Sequence, residues 1–250
     1  GDHSILRLNL STGFRAPHTS ESLANGVHHG TLQYVIGNAN LKTENATQID
    51  LTYELKNEHL SIIVNPYFNR VNNFIYLSQQ DSTINGYPLF NYVQNNKVNM
   101  YGADLGIHYH PHALHRLHLE TSVSYIRALD EQNNFIDQIP AANWMSTIKL
   151  ELDEKEKIYI KNIILKNNFV FAQNEVAQNE IKSKAYNLLS IGINGVVNTK
   201  NNKINFTLGA KNILNSTYMD HLSNLKNLGI VGPGINFYIG TKFNINHKNK

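Results

Sequence analysis

Apolar and polar residues alternate with a period of two through most of this 250-residue chain. In the first such segment, 4–14, Leu6 and Leu8 alternate with Arg7 and Asn9. Residues two apart lie on the same face of a β-strand, so this spacing predicts strands rather than helices. The pattern is clear again in 47–55, 99–109, 117–125, 203–211 and 235–245, and less regular in 60–77, 143–152, 158–171 and 185–197. The sequence therefore predicts an all-β chain of about ten strands.

The lengths of the strands and of their connections narrow this prediction. The strands run to about ten residues, as a tilted membrane crossing requires, whereas strands average roughly 5–6 residues in general. Short connections near 56–58, 111–115, 153–157 and 198–202 alternate with long ones near 15–44, 78–92, 128–140, 172–182 and 213–234. Because transmembrane barrels have short periplasmic turns and long extracellular loops, the pattern favours an antiparallel transmembrane β-barrel. A soluble β-sandwich is the alternative.

The composition excludes several classes of function. Charged residues make up 16% of the chain, the net charge is +3, and the basic residues are scattered, so we expect no nucleic-acid partner. Cysteine is absent, which excludes disulfides and thiolate metal sites. No apolar run is long enough for a transmembrane helix, and the first residues do not read as a signal peptide, so we expect a fragment of a longer protein. No nucleophile elbow, phosphate-binding loop or metalloprotease motif is present, so we predict that the chain is not an enzyme.

The last alternating segment resembles the membrane-insertion signal of outer-membrane barrels. In that signal a polar residue and a glycine precede spaced hydrophobic residues, here Tyr238, Gly240, Phe243 and Ile245. The signal usually ends the chain, whereas here a polar tail, 246–250, follows it. We expect the barrel-assembly machinery to recognise this strand and outer-membrane lipid to contact it.

Three further stretches resemble TonB-dependent receptors of the outer membrane. Residues 14–17, Phe-Arg-Ala-Pro, resemble the box that opens a long loop in that family, and 37–44 resembles the motif that closes it. Residues 212–218, Asn-Ile-Leu-Asn-Ser-Thr-Tyr, are similar to the exit of the penultimate strand. A Gly-Pro-Gly follows at 232–234, where Ile235 replaces the family's usual arginine. The order and spacing of these motifs span nearly the whole chain.

The resemblance implies a fragment. Barrels of this family have about 22 strands around a plugged lumen, so residues 1–245 would be the C-terminal portion of such a barrel. The plug domain and the N-terminal strands would then be absent. The implied location is the cell outer membrane of a Gram-negative bacterium. The implied function is uptake of a scarce metal or metal chelate with energy supplied by the TonB complex, which would act through the missing N-terminal region.

The candidate ligand-binding residues lie in loops that we expect to be extracellular. Histidine is abundant, with 12 residues, and imidazole suits Zn²⁺ as well as haem iron. His28 and His29 lie between the two loop motifs, an arrangement similar to both haem-uptake and zinc-uptake receptors. The candidates for ligand contact are His18, His28, His29, Asp220 and His221, with His28 and His29 as the tentative metal ligands. We expect no intrinsic cofactor; the transported ligand would be zinc, haem or an iron siderophore.

A second group of histidines straddles a predicted periplasmic turn: His108, His110, His112, His115 and His118. His108 and His110 are the less favoured metal ligands, because a capture site is less natural at a periplasmic turn and solvated turn histidines explain this group better. Two alternatives to active uptake also stay open at the level of sequence. One is a passive or adhesive outer-membrane barrel without TonB coupling, and the other is a soluble β-rich binding module.

Overall fold

The computed structural model describes residues 3–199 and 202–245, so the polar tail 246–250 lies outside the described residues. Strands account for most of this part of the chain: β1 His3–Arg15, β2 Asn25–His28, β3 Gln33–Ile36, β4 Glu44–Lys56, β5 Leu60–Ile84, β6 Tyr87–Tyr109, β7 Leu117–Asp130, β8 Asn143–Glu151, β9 Ile158–Val170, β10 Tyr186–Asn198, β11 Asn202–Lys211 and β12 Asn236–Ile245. A short helix, α1 Thr19–Leu23, and two 3₁₀ turns, η1 His112–Leu114 and η2 Lys226–Leu228, lie between them. None of the described helices has the length and apolar character needed to span a membrane.

Ten of these strands form one antiparallel path in the order β1-β4-β5-β6-β7-β8-β9-β10-β11-β12, which confirms the predicted sheet. Strands β2 and β3 form a hairpin inside the first long connection. Strand β3 also pairs in parallel with residues 89–91 near the start of β6. Connections 16–43, 131–142, 171–185 and 212–235 lie at one end of the sheet, which we name the long-loop end. Connections 57–59, 110–116 and 152–157 lie at the other, the short-turn end.

The two faces of the sheet differ in chemistry as the alternation predicts. On β1 the apolar face is open: Leu8 is 67% exposed and Phe14 82% exposed. The opposite face carries paired polar side chains, such as Arg7 with Glu54 at 3.3 Å. A barrel wall needs an apolar face toward lipid and a polar face toward the lumen, and this sheet has both.

The long connection predicted at 78–92 is wrong. Strands β5 and β6 continue through it and meet at a two-residue turn, where Asn85 and Gly86 have φ of 52° and 81°. Asn-Gly is the preferred pair for the type I′ hairpin turn, which needs positive φ at both positions. The hairpin therefore rises well beyond the point at which β4 and β7 stop pairing with it, at Asn72 and Val98.

The described part of the chain has a small buried core near the long-loop end. Val98 (0% exposed), Ala128 and Ile136 form it, and Phe74, Tyr76, Met100 and Ile139 pack against it. Val98 shares its parity on β6 with Asp104, on the polar face of the sheet. Loop 131–142 therefore folds inward and covers the upper wall of the lumen.

Candidate functional site

A single carboxylate joins three loops at the long-loop end. Oε1 of Glu180, in loop 171–185, accepts hydrogen bonds from Nζ of Lys226 at 2.8 Å and from the backbone N–H of Gln138 at 3.0 Å. Nε2 of His221 lies 3.0 Å from the same oxygen. Lys226 and His221 belong to loop 212–235, and Gln138 to loop 131–142. The side chains of Glu180, Lys226 and His221 are 4%, 8% and 2% exposed, so this is a buried charge cluster.

The ionisation of this cluster follows from burial and from its partners. Burial alone would raise the pKa of Glu180, but the hydrogen bonds from His221 and Lys226 outweigh it and lower the pKa to about 2. Asp137 lies beside the cluster. Its own burial and the negative charge of Glu180 raise its pKa to about 6. At mildly acidic pH the carboxyl group of Glu180 is therefore ionised, whereas that of Asp137 is largely protonated.

Hydrogen bonds tie the same cluster to the tall β5–β6 hairpin. Nδ2 of Asn179 donates to the backbone oxygen of Gln79 at 3.2 Å, and Nδ2 of Asn227 donates to Oε1 of Gln79 at 3.1 Å. At the base of loop 212–235, the hydroxyl of Tyr186 donates to Asp220 at 3.0 Å. Loops 131–142, 171–185 and 212–235 and the hairpin therefore form one connected face.

Arg15 organises the first long loop. Its Nη1 lies 2.9 Å from both carboxylate oxygens of Glu21 on α1, and its Nε donates to Oε2 of Glu44 at the start of β4. The other oxygen of Glu44 accepts from the backbone N–H of Ile75 at 2.6 Å. The arginine of the Phe-Arg-Ala-Pro motif thus connects the beginning of this loop with its end and, through Glu44, with β5.

The predicted ligand residues of the first loop have separate positions. His18 is the N-cap of α1: its Nδ1 accepts from the backbone N–H of Ser20 at 3.3 Å, and Glu21 closes the capping box. His28 and His29 lie at the exposed turn of the β2–β3 hairpin, with Nδ1 of His28 3.0 Å from Oγ1 of Thr31. Of these three, only His28 and His29 present exposed imidazoles away from a helix terminus, and their ligand role stays a prediction.

The two ligand residues predicted in the last loop, Asp220 and His221, make contacts that join this loop to its neighbours. His221 is 3% exposed and lies between Glu180 and Ser183, whose Oγ is 3.1 Å from Nδ1. Asp220 accepts from Tyr186 and from the backbone N–H of Leu222 at 2.9 Å. These contacts give both residues a role in joining loops, so a ligand role for them stays a prediction.

Sequence reasoning missed the pairing of Glu180 with Lys226, because 46 residues separate them. The only sequence feature that could have indicated the pair is the presence of two opposite charges in long loops of a weakly charged chain.

The predicted insertion strand is β12, the last strand of the sheet. Phe243 lies on the same face as Phe237 and Ile239, which are 80% and 75% exposed. Tyr238 lies on the opposite face, with Nζ of Lys211 5.7 Å from its ring, and lines a recess of about 570 Å³. Gly240 pairs with Thr207 and Ile245 with Asn202. The strand therefore presents the apolar stripe that the insertion signal needs, and the signal itself stays a prediction.

The histidines of the predicted periplasmic turn do come together, and one more joins them. His59, from the preceding short turn, accepts at its backbone oxygen from the N–H of His110 at 2.8 Å, because β5 and β6 pair up to their ends. The ring of His59 lies 5.9 Å from that of His110 and 4.9 Å from that of His112. Sequence reasoning missed His59 because only the strand register places it there.

Comparisons with known proteins agree with this architecture. Three solved structures are similar: the copper transporter OprC (18% identity, TM-score 0.75), the FrpB iron transporter from Neisseria meningitidis, F3-3 variant (13%, 0.65), and the siderophore receptor PirA from Acinetobacter baumannii (13%, 0.64). They match 95%, 96% and 95% of this chain, which covers 36%, 36% and 38% of theirs. The chain thus spans little more than a third of the length of each of these structures.

The family model described as "TonB dependent receptor-like, beta-barrel" matches residues 1–213. This range contains the Phe-Arg-Ala-Pro motif, the loop-closing motif and β1 to β11. It covers most of the chain and agrees with the ten-stranded antiparallel path. The chain belongs to the TonB-dependent receptor β-barrel family.

Proposed function

We propose that this chain is part of a receptor that binds a metal or a metal chelate at the cell surface and imports it with energy supplied through TonB. The match of residues 1–213 to the receptor barrel family is the observation that carries the proposal. The connected face of loops supports it. A binding face that is held in place before the ligand arrives loses less freedom on binding than a mobile one.

Membership of the family bears on the location and on the kind of activity. Its members are outer-membrane proteins of Gram-negative bacteria, and they are transporters rather than enzymes. This confirms the predicted location and the prediction that the chain is not an enzyme. The long-loop end is therefore the extracellular side and the short-turn end the periplasmic side.

The proposal places residues 1–245 in the C-terminal part of a larger barrel, with 246–250 as a polar tail. Among the described residues, β1 and β12 each pair with one neighbour only. Open strand edges are not tolerated in lipid, so further strands must close the wall. TonB would act through a plug region outside this chain, while lipid and the barrel-assembly machinery would contact its outer face.

The ligand class rests on chemistry and on the similar structures. Those structures are named as a copper transporter, an iron transporter and a siderophore receptor. His28 and His29 supply two exposed imidazoles at the extracellular end, a ligand type that suits zinc, copper and haem iron. We propose zinc, haem or an iron siderophore as the cargo, with His28 and His29 as the first residues to test.

A haem titration separates the cargo classes. The complete receptor in detergent would be titrated with haem and followed in the Soret band, beside a His28→Ala/His29→Ala variant. A saturable shift that the variant loses identifies haem and places its site in the first loop. If wild type gives no shift, haem is excluded, and metal analysis together with binding of ⁶⁵Zn²⁺ and ⁵⁵Fe-siderophores decides between the others.

Energy coupling needs its own test. Uptake of the identified cargo would be compared in cells with and without TonB. The proposal expects uptake to depend on TonB. Equal uptake in both strains would instead support a passive barrel, and binding without uptake an adhesive one.

A further inference from the structure

Six imidazole rings crowd the periplasmic ends of β5, β6 and β7. They belong to His59, His108, His110, His112, His115 and His118. Two short turns contribute four of them, and His108 and His118 come from the ends of β6 and β7. The pairing of Leu60 with Tyr109 brings the two turns together. A neutral imidazole has one nitrogen with a free lone pair, so the cluster concentrates metal donors in one small volume.

The rings of His59, His112 and His115 form the most compact group of three. His112 begins η1 and His115 directly follows its last residue; side chains three residues apart eclipse each other in a 3₁₀ turn, which puts both rings on one side. Their centroids are 5.2 Å apart. His59 faces them from the other turn, at 4.9 Å from His112 and 6.5 Å from His115.

The separations of 4.9 and 5.2 Å match those of rings that share a metal, and the 6.5 Å between His59 and His115 is longer. Zn–N bonds of about 2.0–2.1 Å in a tetrahedral site place the centroids of two coordinating imidazoles roughly 5 Å apart. In the described part of the chain, no three His, Asp or Glu side chains already converge on one point. His112 and His115 are exposed, so their rings can rotate about their side-chain bonds toward His59.

Hydrogen bonding divides the remaining rings. Nε2 of His108 lies 3.3 Å from Nδ1 of His118, so those two rings engage each other. Nδ1 of His59, by contrast, is buried and has no hydrogen-bond partner among the described residues. His110 stacks on His118 at 4.9 Å and lies 5.9 Å from His59 and 5.6 Å from His115. Its Nε2 donates to the backbone oxygen of His115, so Nδ1 is the nitrogen that could bind a metal. His59 therefore brings a buried nitrogen without a hydrogen-bond partner to this set of rings.

We propose that His59, His112 and His115, with His110 as a fourth donor, bind a divalent transition-metal cation at the periplasmic rim of the barrel wall. An all-imidazole set favours Zn²⁺, Cu²⁺ or Ni²⁺ over Ca²⁺ and Mg²⁺, which prefer oxygen. The site lies at the opposite end of the wall from His28 and His29. It requires neither TonB coupling nor binding at the extracellular loops, so it stands independently of the proposed function.

Calorimetric titration of the complete receptor with Zn²⁺ in detergent tests the site. The variant is His59→Gln/His112→Gln/His115→Gln, and the matched control is His3→Gln, an exposed histidine at the same end of the wall that pairs with Lys56 on β1 and β4 and lies outside the cluster. We expect the triple variant to lose at least tenfold in affinity at one Zn²⁺ equivalent and the control to retain that equivalent. Co²⁺ in place of Zn²⁺ should give the intense visible bands of a tetrahedral site in wild type and not in the triple variant.

Two results would overturn the proposal: Zn²⁺ binding by the triple variant equal to that of wild type, or binding of Ca²⁺ at the same site with equal affinity. Thermal unfolding and the β-sheet circular dichroism spectrum check that the triple variant folds. If it does not, His115→Gln provides the readout, because His115 is exposed at the end of η1 and contributes its ring without supporting a strand.

Discussion

Nζ of Lys226 lies 2.8 Å from Oε1 of Glu180, and both side chains are less than a tenth exposed. A buried charge that loses its partner is destabilising because water cannot replace the lost interaction. The backbone N–H of Gln138 and the ring of His221 contact the same oxygen, so removal of this carboxylate would weaken contacts in three loops.

Replacement of this carboxylate should loosen the extracellular face. Glu180→Gln leaves the ammonium of Lys226 buried and unpaired, at a cost of about 3 kcal/mol. We expect local opening, and therefore cleavage by a protease within loops 131–142, 171–185 and 212–235, to rise roughly 100-fold. Limited proteolysis of the complete receptor measures this. Glu154→Gln, at an exposed residue of a periplasmic turn, is the matched control, and equal cleavage of both variants would contradict the prediction.

The strands and their faces could be predicted because alternation is a local property. Ten strands with a lipid face and a lumen face follow directly from residue parity. The Asn85-Gly86 turn was also readable, since this pair is a strong hairpin signal, although the segment around it is predicted above as a long connection. The Glu180–Lys226 pair and the position of His59 depend on register and on loop packing, which one sequence does not encode in any local pattern.

Acid should weaken the loop face through Glu180. Its pKa is about 2 in the folded protein against 4.5 for the free side chain, so its stabilisation is fully present above pH 4.5 and is lost as the pH falls toward 2. We expect protease cleavage of the three loops to increase over that window in wild type. The Glu180→Gln variant should show a much smaller change there, and an equally steep acid response would assign the effect to another group.

Asp137 should act with the opposite sign. Its folded pKa of about 6 exceeds the ordinary value of 3.8. Its contribution to the stability of the loop face is therefore fully present below pH 3.8 and is lost as the pH rises through 6. Asp137→Asn removes a charge that is unfavourable at neutral pH. We expect it to stabilise the loop face by on the order of 1–2 kcal/mol at pH 7.5 and by much less at pH 4. Hydrogen exchange in loop 131–142 at both pH values measures this; equal protection in wild type and variant at pH 7.5 would contradict it.

The arginine of the Phe-Arg-Ala-Pro motif should not be replaceable by lysine. The Arg15 guanidinium contacts Glu21 and Glu44 with different nitrogens, a fork that one ammonium cannot reproduce. We expect Arg15→Lys to lower stability by about 1–2 kcal/mol and to expose loop 16–43 to protease. Arg7→Lys is the control, since Arg7 makes one 3.3 Å contact with Glu54 and is largely exposed; similar losses in both variants would argue against the bridging role.

The tip of the β5–β6 hairpin offers a test of backbone geometry alone. A Cβ added at Gly86 meets nothing within 4 Å, but the φ of 81° is one that side chains disfavour. Gly86→Ala should therefore cost about 1 kcal/mol through the turn and not through packing. Hydrogen exchange of amides in 80–91 should quicken about fivefold as a result. Gly26→Ala is the matched control, because a Cβ there also meets nothing within 4 Å and the backbone has no positive φ. If Gly26→Ala quickens exchange in 80–91 as much as Gly86→Ala does, the positive φ of Gly86 is not the cause of the faster exchange.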